Sequence, residues 1–312
     1  MWDLETERVI DEIKNRNARL VLFQAPEGLK RAVEQEIEKI KKQVSAELVI
    51  WGETCFGACD LCDEEIKMLG ADLVVHYGHE PLPYVNPSIP TVFVHAYYSK
   101  EDENIVKNVE EILKDMDGEV IVATTIQFKK ALEKFNPVVI LGCRANIENA
   151  NVDNVLFVGT GRFHPLMIAY KLKKSVKIYN PLTGAVSQIT DEEIKKLIKK
   201  RIGKVSKLLI DPPKKVGVIL STKKGQCRIR IFEKVVELLR ENDINYIPIV
   251  LNNISPQYLI YKVDAYVVCA CPRIVMDDYS LYDKPLITPK ELEMFINKDF
   301  DYVFDEILEW DF

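Results

Sequence analysis

Seven cysteines, at positions 55, 59, 62, 143, 227, 269 and 271, are the residues of this 312-residue chain whose type and spacing could do chemistry. The N-terminus, Met1-Trp2-Asp3-Leu4-Glu5, has neither a basic start nor a long apolar core, so a cytoplasmic location is expected. Thiols stay reduced there, which puts metal or redox chemistry ahead of a disulfide framework. Three thiols each follow an apolar, β-branched run: Cys59 after Leu48-Val49-Ile50-Trp51, Cys143 after Val138-Val139-Ile140-Leu141-Gly142, and Cys271 after Ala265-Tyr266-Val267-Val268. Open α/β sheets bind ligands beyond the carboxyl ends of their strands. If the three units share a centre, three soft thiolates suit an iron–sulfur cluster with one iron left open, or a zinc site. Cys227 on its own reads as a small buried hydrophobe.

The first loop also offers a rival. Cys55-x3-Cys59-x2-Cys62 has the spacing by which ordinary radical S-adenosylmethionine enzymes hold a [4Fe-4S] cluster from one loop. Leu61 stands where an aromatic residue is usual, and the local triplet leaves Cys143 and Cys271 without a role.

The elements that must position these thiols alternate between helical and extended signals. A first round has helix 4–13, strand 20–23, a helical pattern opened by Pro26-Glu27-Gly28, strand 48–51, helix 64–69, and strands 73–75 and 91–94. A second has helix 103–113, strand 120–122, helix 127–135, strands 138–141 and 155–158, helix 163–172, strand 176–179 and helix 191–202. After Asp211-Pro212-Pro213, a linker that stops helix and ladder alike, a third has strand 216–220, helix 229–239, strands 246–250 and 265–268, and a last helix started by Thr288-Pro289. Short apolar strands separated by helices indicate parallel sheets covered on both faces. Three α/β domains are expected: 1–98 with Cys59, 99–209 with Cys143, and 210–312 with Cys271.

Composition excludes other classes. Hydrophobic residues at 47% and charged residues at 29% are a folded-protein balance rather than a disordered one. No apolar run approaches the roughly 18 residues of a membrane span. Lys and Arg number 42 against 48 Asp and Glu, a net charge of −6, so direct nucleic-acid binding is not expected. The run Lys195, Lys196, Lys199, Lys200 and Arg201 reads as a solvated helix face. His76, His79, His95, Arg162 and His164 stand at strand ends or helix starts, where they could ligate metal, move protons, bind anions or simply hold loops. Ser221-Thr222-Lys223-Lys224-Gly225-Gln226 ends a strand like a phosphate cradle but lacks the Gly-x4-Gly-Lys-Ser/Thr pattern. Gln24, Glu27 and Gln226 are candidates for contacting a cosubstrate.

An ordered set of short stretches carries a resemblance. It comprises Gln24-Ala25-Pro26-Glu27-Gly28-Leu29, Phe56-Gly57-Ala58-Cys59-Asp60, Leu69-Gly70-Ala71-Asp72 leading into Val75-His76-Tyr77-Gly78-His79, Thr125-Ile126-Gln127-Phe128, Ile140-Leu141-Gly142-Cys143, Gly161-Arg162-Phe163-His164, Cys271-Pro272-Arg273 and Lys284-Pro285-Leu286-Ile287-Thr288-Pro289. In these the chain resembles the diphthamide-synthesis 3-amino-3-carboxypropyltransferases in their archaeal single-subunit form, over nearly its whole length. The resemblance implies three similar parallel-sheet α/β domains packed around a central [4Fe-4S] cluster, with Cys59, Cys143 and Cys271 as its ligands. Cys55, Cys62 and Cys269 depart from that minimal pattern. It further implies a transferase that uses S-adenosylmethionine as cosubstrate, an electron donor, and elongation factor 2 as protein partner, acting as a homodimer. No catalytic residue is assigned beyond the cluster. Two other classes compete: an ordinary radical enzyme built on Cys55, Cys59 and Cys62, and a non-catalytic cluster-bearing subunit that passes electrons.

Overall fold

Parallel strands need a crossover of a dozen or more residues between them, and the helices of this chain supply it. The computed structural model describes residues 2–98, 102–147, 152–277 and 279–312. Its contacts gather the chain into two compact units. One is Met1–Gly142 with Asn146–Gly161 and Lys177–Ser187; the other is Cys143–Ala145 with Arg162–Val176 and Gln188–Phe312.

The first unit holds a four-stranded sheet in the order Glu47–Ile50, Leu20–Gln24, Leu73–Tyr77, Thr91–Val94. Every pair is parallel, with Leu22 in register with Val49 and with Val74. Leu73–Tyr77 is buried at all five positions, as a strand covered on both faces must be. The pleat divides its neighbours: Val21, Phe23, Val75 and Tyr77 pack with helices Thr6–Asn15 and Lys30–Ile40, while Leu22 and Val74 pack with Ile66 and Cys62 on the other face. A second sheet runs Val138–Val139, Val120–Thr124, Asn154–Val158, Val176–Tyr179, Val186–Ile189. A short antiparallel ladder, Trp2–Asp3 on Tyr97–Tyr98, was not expected from the sequence.

The second unit is built on a sheet in the order Asn245–Leu251, Lys215–Ser221, Ala265–Cys269, Leu286–Ile287, again parallel throughout. Counted along the chain, all three sheets place their strands in the order second, first, third, fourth. This shared order is the internal repeat that residue identities are too weak to reveal. The expected α/β class with parallel sheets is the one found. The domain boundary expected after 98 adjoins residues 99–101, which lie outside the described residues.

Several elements differ from expectation. Helix Asp191–Ile210 runs two turns beyond 202, to the stop at Asp211-Pro212-Pro213. Its lysines 195, 196, 199 and 200 face solvent, but Arg201 does not belong to that face. It is 1% exposed and forks onto Glu291 at 2.5 and 2.7 Å, with further bonds to the Val275 and Leu286 carbonyls. The strand expected over 138–141 shortens to Val138–Val139, and 127–135 divides into an α-turn, Ile126–Lys129, and a 3-10 helix, Lys130–Phe135. Thr288 does start the last helix, as a full capping box with Glu291.

The C-terminal segment has no regular structure between 298 and 308, and its buried carboxylates Asp305 and Asp311 meet on Arg228. Arg228 binds Asp305 through two buried bonds of 2.7 and 2.9 Å, Asp311 through a buried bond of 2.7 Å and the Glu306 carbonyl at 3.1 Å. Removing one partner of such a set leaves the others charged and desolvated. Arg228→Met should therefore cost about 3–5 kcal/mol in denaturant unfolding. A cost near zero would mean that the two carboxylates find water.

Candidate metal centre

The loop between strand Glu47–Ile50 and helix Asp63–Lys67 carries three thiols; Cys59 and Cys62 pack in different clusters, and Cys55 lies within electrostatic reach of Cys62. Cys62 packs among Leu22, Ile66, Val74 and Ile89 under the sheet. Cys59 packs among Ala58, Leu61, Leu82 and Val85, with Tyr84, Phe93 and Leu141 at the edge. Cys55 converges with His76 and His79. A Cβ at Gly57 would stand 3.5 Å from Cys59 Sγ, so glycine keeps that side of the sulfur open. Burial, reinforced by the Glu65 carboxylate, pushes the Cys62 thiol far up, which makes it a poor ligand or nucleophile.

Gln24 ends the first strand of this sheet, His76 stands one residue before the end of the third, and the two are register partners. Gln24 is fully buried, and its amide donates to the Asp60 carbonyl at 2.7 Å, so its oxygen must be the acceptor for His76 Nδ1 at 2.8 Å. His76 Nε2 is then the bare nitrogen of that ring, facing His79 Nδ1 at 3.0 Å. Gly78 makes the reversal between them. Its φ is +83°, and a Cβ there would meet Leu29 Cδ1 at 2.9 Å. Burial, with His79 alongside, holds His76 well below its ordinary pKa. Burial also lowers His79 to about 4, against a hydrogen bond to the Tyr77 backbone that raises it. Both rings are neutral near neutral pH and present lone pairs.

In the second unit Cys143 and Cys271, 128 residues apart in sequence, bring their Sγ atoms to 3.6 Å. Cys271 stands two residues beyond strand Ala265–Cys269 and just before helix Pro272–Met276. The Cys143 thiol pulls the Cys271 pKa down; burial opposes this, and the Arg273 backbone and guanidinium add to it. Arg273 is itself held over the Phe163 ring at 4.3 Å and by Asp277 at 2.9 Å. Cys269 is its opposite, a fully buried thiol that burial pushes far up. Cys227 is also raised by burial.

The other predicted residues have simpler surroundings. Glu27 is exposed and pairs with Lys30 at 2.7 Å, and Lys30 also ties down the Gly52 and Glu53 carbonyls. Gln226 is buried in the 3-10 turn Lys224–Gln226 of the second unit. His95 pairs with Glu80 at 2.7 Å, Arg162 forks onto Glu193 at 2.7 and 2.9 Å, and His164 stands beside the Phe163 ring in helix Phe163–Leu172. The Gln24–His76–His79 chain and its approach to Cys55 were missed in the sequence. Their signal was present: Gln24 closes an otherwise apolar strand, and His76 is the polar residue next to the end of another.

Thiols and neutral imidazoles collected beyond the carboxyl ends of parallel strands are the donor set of an α/β metalloprotein. The diphthamide synthesis family model matches residues 25–304, and the chain belongs to that family. It is 56% identical to the 2-(3-amino-3-carboxypropyl)histidine synthase of Methanocaldococcus jannaschii, over 100% of this chain and 95% of the relative. It is 35% identical to the synthase of that name from Pyrococcus horikoshii, over 99% and 94%. The crystal structure of Dph2 from Pyrococcus horikoshii with a 4Fe-4S cluster superposes with a TM-score of 0.86 at 33% identity, covering 99% of this chain and 95% of that one. The expected transferase class is that of the named relatives. Among the described residues no helix is long and apolar enough to cross a membrane.

Two outcomes follow from this geometry. Without metal, Cys143 and Cys271 need close only from 3.6 Å to the roughly 2 Å of a sulfur–sulfur bond. Air oxidation of the cluster-free protein should therefore link them, seen as one cross-linked peptide by non-reducing mass spectrometry; reduced Cys143 and Cys271 after full oxidation would contradict it. The second concerns pH. A histidine of ordinary pKa 6.5 that falls to about 4 on folding makes the unfolded state bind more protons between those values. Stability should then fall as pH drops through that window, and His79→Gln should flatten the fall in melting temperature. An unchanged slope would mean that His79 is protonated in the folded protein.

Proposed function

We propose that the chain transfers the 3-amino-3-carboxypropyl group of S-adenosylmethionine to C2 of a histidine in elongation factor 2, at a [4Fe-4S] cluster held by Cys59, Cys143 and Cys271. The observation that carries this reading is the meeting of Cys143 and Cys271 across 128 residues. A pairing of reduced thiols so distant in sequence, one of them acidified, suits a shared metal rather than local packing. Two sulfurs bound to different irons stand further apart than a hydrogen-bonded pair, so loading the cluster would draw them apart. The cluster, when bound, would supply the one electron that cleaves the sulfonium's bond to the methionine γ-carbon, giving methylthioadenosine and a 3-amino-3-carboxypropyl radical whose addition at C2 is completed by loss of the C2 hydrogen as a proton and of one electron.

The chain's own residues bind, orient and shield. Arg273 sets charge beside Cys271, and the Gln24–Asp60 bond fastens the loop that bears Cys59. Glu27 and Gln226 are our candidates for holding the amino acid or nucleoside parts of the cosubstrate. Gln24, with both amide ends engaged, would act there chiefly through the loop it holds. The three sheets serve as three domains, 1–98, 99–209 and 210–312, each giving one thiol. Two copies associate as a homodimer in the cytoplasm, supplied with electrons by a separate donor.

The local-triplet alternative leaves the meeting of Cys143 and Cys271 without a role, and Cys59 and Cys62 pack in different clusters. Single alanine variants discriminate after anaerobic reconstitution. Cys59→Ala, Cys143→Ala and Cys271→Ala should lose most bound iron and all transfer of label from S-adenosylmethionine to elongation factor 2. Cys62→Ala and Cys269→Ala should keep both. Full iron in Cys143→Ala and Cys271→Ala would sink the assignment, as would 5′-deoxyadenosine in place of methylthioadenosine as the product.

A further inference from the structure

We propose a second, separate metal site in the first unit: Cys55, His76 and His79 bind one zinc-type divalent cation, with a fourth position open to solvent. Their ligand atoms all lie within 4.8 Å of one another. Bond lengths of about 2.0–2.3 Å to nitrogen and sulfur place tetrahedral ligands roughly 3.3–3.8 Å apart, so small side-chain rotations close the shell. The two imidazole nitrogens face each other at 3.0 Å, where His79 Nδ1–H donates to the bare His76 Nε2, a proton that the cation would displace.

Three further observations point to a ligand here. First, the remaining nitrogen of His76 is tied to Gln24 Oε1 at 2.8 Å, and Gln24 in turn to the Asp60 carbonyl. An imidazole that donates its far N–H to an amide oxygen is oriented as metal-binding histidines are. Second, the site lies at the end of the first and third strands, where a sheet ordered second, first, third, fourth changes direction. That switch point is where open α/β sheets take their ligands. Third, His79 stands two residues beyond the third strand of its sheet, as Cys271 does in the sheet of the second unit. One repeat position thus carries a soft donor in both sheets. Cys55 and His76 are buried, and His79 is the least enclosed of the three. One thiolate, two imidazoles and an open position suit zinc or a similar cation that binds a small oxygen donor.

The test is cobalt titration of the full chain carrying Cys143→Ser and Cys271→Ser, so that the other thiol pair cannot take the metal. One equivalent should bind with the intense visible bands of tetrahedral cobalt and a thiolate charge-transfer band. Cys55→Ser should abolish the charge-transfer band, whereas Cys59→Ser should keep it. His79→Ala should lose the tetrahedral spectrum. Gln24→Leu, which removes the support of His76 together with the bond to the Asp60 carbonyl, should weaken binding by about 10–100-fold. Circular dichroism checks that each variant is folded. An octahedral spectrum or no stoichiometric binding in the parent protein would overturn the site without recourse to any variant. So would a charge-transfer band that survives Cys55→Ser or disappears in Cys59→Ser.

Discussion

A parallel strand cannot be followed at once by its neighbour, because the chain must cross back over the sheet before it can pair again. Every strand therefore ends in an outgoing turn, and all the turns of one sheet gather along its carboxyl edge. In this chain that constraint decides where the chemistry stands. The strand cores are largely apolar on both faces and leave little room for ligands. The residues freest of that demand lie at and beyond the strand ends, and there stand Gln24, His79, Cys143 and Cys271, with His76 one residue inside its strand. The strand order shared by the three sheets repeats the arrangement three times, and each sheet fills it with different residues. Cys143 follows the second strand of its sheet, whereas Cys271 follows the third.

Burial then sorts donors that look alike in the sequence. Cys269 and Cys271 are two residues apart, yet one is sealed inside the strand with a raised thiol and the other meets Cys143 beside Arg273. Cys62 is raised by the same desolvation, strengthened by Glu65 and then by Cys55 of the same loop. For the histidines, desolvation works in the opposite sense and keeps both rings uncharged. Soft, neutral or acidified donors are thereby separated from inert thiols within a few residues of chain.

Much of this was legible in the residues. The apolar runs at 20–23, 73–75, 216–220 and 265–268 announce buried parallel strands, and Thr288-Pro289 announces a helix start, because those signals are local. The thiols beyond the strand ends were legible for the same reason. Arg201 was misread as part of a solvated lysine face, because helix periodicity cannot tell that Glu291, 90 residues on, reaches back to it. The Cys55–His76–His79 grouping was likewise hidden, since it depends on register between the first and third strands and on the reversal at Gly78. The clamp on Arg228 joins it to a tail about 80 residues away, and no spacing rule connects the two.

The central claim is that thiols from separate sheets of one chain hold a single iron–sulfur cluster. The most direct measurement is iron-edge anomalous diffraction from crystals of the anaerobically reconstituted protein. The account predicts one compact cluster of iron peaks, with three irons each at bonding distance from one sulfur of Cys59, Cys143 and Cys271, and a fourth iron with no protein ligand. Iron bound instead by Cys55, Cys59 and Cys62, with Cys143 and Cys271 left as a thiol pair, would contradict it.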